Sequence, residues 1–169
     1  MTLPFMTHFP AGLKGIGGKE TKFVPKIWKS ILVSNTVDHM IQHIHRNECF
    51  SAKVLSPGEA NNFNPKHHTI RTDPHNRWKP GTKIHMVLWN RTAKRFQFVP
   101  VLEVKSVQEI EIVNKDLRGV RINKEKWLMA DEIQRLALND GFDSMDDFFA
   151  YFHKDFEGKI IHWTDLTLS

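Results

Sequence analysis

The chain has 169 residues, of which 40% are hydrophobic and 25% are charged, and its net charge is +5. This composition excludes a disordered chain, and no apolar run is long enough to predict a transmembrane helix. No secretory signal is recognisable, and the single Cys49 excludes an internal disulfide and fits a reducing compartment. We therefore expect one globular domain in the cytoplasm that does not contact a membrane.

The charge is unevenly distributed along the chain. Residues 66–95 contain eight Lys or Arg and one acid, Asp73, whereas residues 131–169 contain nine acids and three bases. A local basic field concentrates anionic ligands such as nucleic acid or nucleotides. A solvated basic face balanced by the acidic C-terminal third explains the same distribution equally well.

The N-terminal residues 1–33 are predicted to form an irregular arm laid over a single domain of residues 34–169. Pro4, Pro10 and Pro25 and the glycine-rich run 12–18 interrupt regular structure in this arm. Beyond it, Ser34 and Asn35 can cap a helix that runs to about residue 46. One apolar face of that helix is formed by Val37, Met40, Ile41 and Ile44.

Histidines in and after this helix offer a minor alternative function. His39 and His43 lie one helical turn apart, a spacing that can hold a metal ion, and His45, His67 and His68 could add ligands. No cluster of acids or cysteines accompanies them at a readable spacing. Surface or partly packed histidines are the favoured interpretation, so no metal or other cofactor is assigned.

Four or five short strands are predicted in the middle of the chain. They are residues 69–71, 83–89, 96–104, 107–113 and 120–122, separated by turns at 73–76, 79–82, 91–95 and 116–119. Such close spacing favours a small barrel or a strongly curled sheet.

The C-terminal third is predicted to be helical until its end. A helix over residues 127–139 ends at Gly141, and a second helix starts at Ser144. The second helix carries an aromatic stripe that we assign to the core. Gly158 precedes a final strand over residues 159–163.

A lysine, a hydroxyl and an arginine are closely spaced at the start of the first predicted strand, in the run Lys66-x-x-Thr69-Ile70-Arg71. Alternation in a strand places Thr69 and Arg71 on one face and Ile70 on the other. Lys66 then lies at the loop-to-strand joint, close enough to share a pocket with Thr69.

Four motifs resemble one known family in their order and spacing. They are Lys66-x-x-Thr69-Ile70-Arg71, Lys79-Pro80-Gly81-Thr82, Asp140-Gly141-Phe142-x-Ser144 and Ile160-Ile161-His162-Trp163. Over roughly residues 64–165 the chain is similar to the ASCH domain family of the PUA-like superfamily. The resemblance implies an α+β fold, a PUA-like small mixed β-barrel flanked by helices, here with an irregular N-terminal extension.

The resemblance also implies a cleft for RNA or a nucleotide-like ligand. One group within the family, the small acetylcytidine amidohydrolases, uses a lysine, a threonine and a glutamate. The lysine and threonine match Lys66 and Thr69, and the position of the glutamate is occupied by Asp140. These three residues are therefore the expected catalytic set of an amidohydrolase.

A non-catalytic module that binds RNA or a modified nucleoside or nucleotide is the alternative function. In that case the basic side chains contact phosphates while Trp78 or Trp89 stacks a base. The expected ligand-binding residues are Arg71, Arg77, Trp78, Lys79, Trp89 and Arg91. A purely structural role for the Lys66 motif is the third possibility, since Thr69 has good β-propensity and Arg71 can pair with an acid.

Overall fold

The computed structural model describes residues 1–34 and 37–166. Within these ranges the chain has an α+β fold of four α-helices and two β-sheets. The helices are α1 (Phe23–Ser34), α2 (His39–Ser51), α3 (Ala130–Asn139) and α4 (Met145–Tyr151), with a 3-10 turn at Glu59–Asn62. The strands are β1 (Thr2–Pro4), β2 (His68–Arg71), β3 (Lys83–Leu88), β4 (Phe96–Gln97), β5 (Leu102–Glu103), β6 (Ser106–Val113), β7 (Gly119–Ile122), β8 (Lys126–Trp127) and β9 (Phe156–His162).

The described strands form two sheets and do not close into one barrel. The first sheet has the order β1-β3-β4, with β5 also paired to β3, and the second has the order β2-β9-β6-β7-β8. Only Val104 and Lys105 separate β5 from β6, and their N–H groups donate to Thr82 at 2.9 Å and to His162 at 2.8 Å. A single extended segment therefore passes directly from one sheet to the other.

In the second sheet, β2 carries the Thr69-Ile70-Arg71 motif with the alternation of faces predicted from the sequence. Thr69 lies opposite Ile161 and Arg71 opposite Lys159, whereas Ile70 lies opposite Ile160. Thr69 and Arg71 therefore share one face of β2, as predicted. The other face packs against the core, with Ile70 and Ile160 both buried.

The predicted strand over residues 96–104 is shorter than expected. Only β4 and β5 are regular within it, and Pro100 lies between them. Proline has no N–H to donate to a neighbouring strand, so the ladder is interrupted there.

The N-terminal segment is irregular over residues 5–22, but it is bounded by regular structure on both sides. β1 pairs in parallel with β3, and α1 contributes the buried side chains Val24, Ile27, Trp28 and Ile31 at helical spacing. Pro25 lies in the first turn of α1, where backbone N–H groups have no intrahelical acceptor, so it does not break the helix. Pro25 therefore does not indicate irregular structure, contrary to the prediction.

Helix α2 differs from its prediction in both its start and its orientation. Asp38 is the N-cap and accepts from the Met40 N–H at 2.8 Å, while the predicted cap residue Asn35 lies outside the described residues. The predicted apolar face is largely exposed at Met40, Ile41 and Ile44. The buried residues of α2 are instead Gln42 and Cys49, because Cys49 Sγ contacts the Phe98 carbonyl in the core.

The C-terminal helices largely follow the sequence pattern. α3 begins at Ala130, since residue 127 belongs to β8, and it ends before Gly141 as predicted. Ser144 caps α4 by accepting from the Asp147 N–H at 3.0 Å. The aromatic side chains Phe148, Phe149 and Phe152 are buried, which confirms their assignment to the core.

Candidate functional site

The candidate site is built on the turn that ends α3. Gly141 has a φ of +88°, which glycine adopts without strain, and its N–H donates to the Leu138 carbonyl at 2.9 Å. The Phe142 N–H donates to the Ala137 carbonyl at 2.9 Å, completing a Schellman motif. Asp140 therefore lies at the C-terminal end of α3, where the helix carries partial negative charge.

Two buried lysines bind this turn. Lys66 Nζ donates to Asp140 Oδ1 at 2.8 Å and also to the Asp140 carbonyl. Lys26 Nζ donates to the Gly141 carbonyl at 2.8 Å and to Asp143 Oδ1 at 2.6 Å. Carbonyls at a helix C-terminus lack intrahelical donors, so the two ammonium groups satisfy them and offset the helix dipole.

Main-chain hydrogen bonds determine where Lys66 enters the site. The Lys66 N–H donates to the Lys26 carbonyl at 2.9 Å, and the His67 N–H donates to the Asn139 carbonyl at 2.8 Å. The chain is thereby held between α1 and the end of α3 just before β2 begins. Lys66 lies at the loop-to-strand joint, as predicted.

Burial dominates the titration of the Lys66–Asp140 pair, whose residues are 1% and 4% exposed. Loss of hydration lowers the pKa of Lys66 to about 8, with Arg71 and Lys26 acting in the same direction and Asp140 opposing them. Loss of hydration also raises the pKa of Asp140, although Lys66 opposes that change. The neutral form of Lys66 therefore becomes substantially populated near pH 8.

Arg71 lies near the pair, and Thr69 precedes it on β2. Arg71 Nη2 donates to the Pro4 carbonyl at 2.9 Å, and its guanidinium lies 5.4 Å from the centroid of the Phe5 ring. Thr69 is buried, and no hydrogen bond among the described residues joins its hydroxyl to Lys66. The structure thus brings Lys66 and Asp140 into direct contact, with Thr69 on the adjoining strand.

Aromatic side chains from the N-terminal segment cover the pair. Lys66 Nζ lies 4.7 Å from the centroid of Phe23 and 6.0 Å from that of Phe5. Three surface clefts, of about 620, 260 and 340 Å³, are lined by other residues than Lys66, Thr69 and Asp140. The expected catalytic residues therefore lie in the interior of this conformation.

The 620 Å³ cleft has mixed charge and is not basic. It lies on the second sheet, beneath the loop that follows β2, and its cations are matched by acids. Lys159 donates to Glu109 at 2.8 Å, and Arg121 forms an ion pair with Glu111. Its charge therefore does not favour a highly anionic ligand.

The remaining residues predicted to bind ligand do not form one surface. Trp78 is 6% exposed, so it is not available to stack a base, which corrects that prediction. Arg77 and Lys79 are exposed before β3, and Trp89 and Arg91 are exposed after it. Because six residues of β3 span about 20 Å, the two pairs lie at opposite ends of the strand.

Sequence reasoning missed the contribution of the N-terminal segment to the site. Lys26, Phe5 and Phe23 all contact the α3 turn or Lys66. The helical spacing of Val24, Ile27 and Ile31 was the signal that would have placed Lys26 on a core helix. The position of Phe5 depends on the pairing of β1, for which three residues carry no readable signal.

A buried histidine pair lies next to the site. His68 and His162 are opposite each other in β2 and β9, with ring centroids 4.9 Å apart, and neither is exposed. Loss of hydration lowers the pKa of His162 to about 4 and that of His68 well below its usual value, so both rings are neutral at pH 7.

The alternative histidine site on α2 has no completed ligand set. His43 Nδ1 lies 3.2 Å from the Asn47 amide, and His45 Nδ1 lies 3.1 Å from a Glu48 carboxylate oxygen. Within residues 1–34 and 37–166, no group of three or more His, Cys, Asp or Glu is arranged to hold a metal ion.

Comparisons with protein-family models, with curated proteins and with solved structures found no match to this chain. Across the part of the chain that the structure describes, no helix combines the length and apolarity that a membrane span requires.

Proposed function

We propose that the chain is an ASCH-type, PUA-like domain that binds a modified nucleoside or RNA and hydrolyses an amide on an acetylated cytidine. The contact between Lys66 Nζ and Asp140 Oδ1 at 2.8 Å carries this proposal, because these residues come from two motifs seventy-four positions apart. The passage of one segment from the first sheet to the second supports a curled arrangement related to the PUA-like barrel.

The proposed reaction uses Thr69 as nucleophile and neutral Lys66 as general base. Lys66 takes the hydroxyl proton as Thr69 Oγ attacks the acyl carbon, and Arg71 or a backbone N–H stabilises the oxyanion. The carbon–nitrogen bond then breaks, and the protonated Lys66 returns the proton to the leaving exocyclic amine. Water hydrolyses the resulting acyl-threonine ester, while Asp140 orients Lys66 throughout.

Hydrolytic activity is expected to increase with pH. A general base acts in its neutral form, and the pKa of Lys66 is lowered to about 8, mainly by burial. The rate of acetate release from acetylcytidine should therefore rise as pH rises through about 8. Lys66→Met and Thr69→Ala should abolish release.

Lys26→Met is the matched control for the hydrolysis assay, because the hydrogen bonds that Lys26 donates to the same turn go to Gly141 and Asp143. This variant should remain active at temperatures where it is folded. The hydrolase proposal is rejected if the wild-type protein releases no acetate from the acetylated nucleoside, nucleotide or RNA over a prolonged incubation.

Non-catalytic RNA binding is a second candidate function, favoured by the hairpin between β3 and β4. Trp89 is 42% exposed, and Arg91, Lys94 and Arg95 are exposed with no acid between them. An exposed aromatic ring among cations can stack a base while the cations contact phosphates.

Salt dependence distinguishes this second function. Substituting Arg91, Lys94 and Arg95 together by Ala should weaken binding of single-stranded RNA and reduce the slope of log K against log salt by about 2. The matched control substitutes Arg77 and Lys79, the cations at the other end of β3. Equal slopes for the hairpin variant and the wild type would contradict a role of the hairpin.

A further inference from the structure

We propose that Pro4 and Phe5 occupy the ligand position of the Lys66–Arg71 site, so that β1 and the ligand compete for Arg71. This inference deepens the proposed function and rests on it, because it concerns the regulation of the same site. The N-terminal segment then acts as an intramolecular occupant that keeps the site closed.

The contacts of Arg71 are those of a ligand-binding arginine. Its Nη2 donates to a carbonyl oxygen of Pro4 at 2.9 Å, and an aromatic ring, Phe5, lies 5.4 Å from its guanidinium. A planar ring with a neighbouring carbonyl acceptor presents the same chemistry as an acylated nucleobase. Pro4 and Phe5 therefore stand in for the groups of such a ligand.

Pro4 and Phe5 leave part of the hydrogen-bonding capacity of Arg71 unsatisfied. Arg71 Nε is buried and has no hydrogen-bond partner among the described residues. A buried donor without a partner is unfavourable, and a guanidinium pairs best with two acceptors at once. A ligand that presents two acceptors would satisfy both Nη2 and Nε, which gives it an advantage over the single Pro4 carbonyl.

β1 is placed so that it can leave without disrupting its sheet. Among the described strands β1 pairs only with β3, and β3 retains β4 and β5 as partners when this three-residue edge strand detaches. Detachment exposes Leu3 and Phe5, which are 1% and 5% exposed when bound. Exposure of these two side chains alone makes the open form at least roughly 10²-fold rarer than the closed form.

A reversible disulfide between β1 and β3 tests the inference. Thr2 and His85 are opposite each other in the parallel pair, and neither is buried, so Thr2→Cys/His85→Cys should form a bridge without disturbing the core. Cys49 does not interfere, because burial raises the pKa of its thiol to about 11. The oxidised and reduced forms of one variant are then compared.

The first readout needs no ligand. Lys66 should be acetylated by an acetyl N-hydroxysuccinimide ester roughly tenfold more slowly in the oxidised than in the reduced protein, because the bridge removes the open state. Mass spectrometry measures the modification, and exposed lysines such as Lys14 report the reagent concentration. The second readout is affinity for acetylcytidine, which should fall by a similar factor on oxidation.

The matched control bridges Lys83→Cys/Glu103→Cys, which are opposite each other on β3 and β5 and leave β1 free. Its oxidation should change neither readout. Equal rates of Lys66 acetylation in oxidised and reduced Thr2→Cys/His85→Cys would overturn the inference. Failure of the reduced protein to bind acetylcytidine would instead reject the proposed function, while the acetylation rates would still decide whether β1 closes the site.

Discussion

At the scale of single residues, the Lys66–Asp140 ion pair carries both a structural and a proposed chemical role. Burying two charges costs several kcal/mol each, and their mutual attraction offsets this cost only when further hydrogen bonds are made. Lys66 makes one such bond to the Asp140 carbonyl at the end of α3. The C-terminal end of α3 therefore helps to stabilise the pair. Without its partner, either residue would be a buried charge with no counter-ion.

Removing one partner should be far more costly than removing both. We expect Asp140→Leu to lower the free energy of unfolding by roughly 3–5 kcal/mol, because Lys66 is left buried and unpaired. Lys66→Met/Asp140→Leu should recover most of that loss, since both charges are removed together. Urea unfolding at pH 7 measures the free energy of unfolding of the wild type, Asp140→Leu and the double variant.

An exposed ion pair is the control for that comparison. Asp131 and Arg135 lie one turn apart on α3 with side chains 76% and 65% exposed, so Asp131→Ala should change stability by less than about 1 kcal/mol. If Asp140→Leu lowers the free energy of unfolding no more than Asp131→Ala does, the buried ion pair does not stabilise the fold as described.

At the scale of elements, the turn between α3 and α4 determines how closely Lys66 and Phe23 can approach Asp140. A Cβ on Gly141 would lie 2.9 Å from Lys66 Cδ and 3.1 Å from the Phe23 ring. Glycine is required there both for its positive φ and for the space that the absent side chain leaves. The Schellman motif and the lysine site are consequently one structural unit.

Gly141→Ala and Gly81→Ala separate these two requirements. Gly81 has a similar φ of +85°, but a Cβ there would meet no atom within 4 Å. Gly81→Ala should therefore cost only the backbone strain, roughly 1–2 kcal/mol. Gly141→Ala should cost roughly 1–3 kcal/mol more, because Lys66 and Phe23 must move, and urea unfolding measures the difference. Equal losses of stability in the two variants would show that Lys66 and Phe23 can move away from the new Cβ without an energetic cost.

At the scale of the whole molecule, aromatic contacts join the first and last parts of the chain into one core. Phe9 stacks on Phe142 at 5.9 Å, and Phe5 meets Trp163 edge-on at 6.4 Å. Trp163 Nε1 also donates to Ser30 Oγ at 3.1 Å. The N-terminal segment is therefore part of the core that supports the site, which explains why the site is closed in this conformation.

Much of the second sheet could be predicted, because its strands alternate clearly. In residues 107–113 the alternation places Glu109 and Glu111 on one face and the buried Ile110 and Ile112 on the other, and β6 occupies this stretch. Helix α2 shows the limit of such patterns, since its apolar positions Met40, Ile41 and Ile44 face solvent. A helical period identifies an apolar face, but the neighbouring elements decide which face is buried.

The local sequence alone determined the start of β2 at the Lys66 motif, the end of α3 at Gly141 and the cap of α4 at Ser144, because each depends on the conformational preferences of adjacent residues. The family resemblance groups Lys66 with Asp140, but only the tertiary structure decided that the two are in direct contact, that Lys26 binds the same turn and that Phe5 covers Lys66. Those contacts join residues from distant parts of the chain, and packing of the whole core, which no local pattern encodes, brings them together.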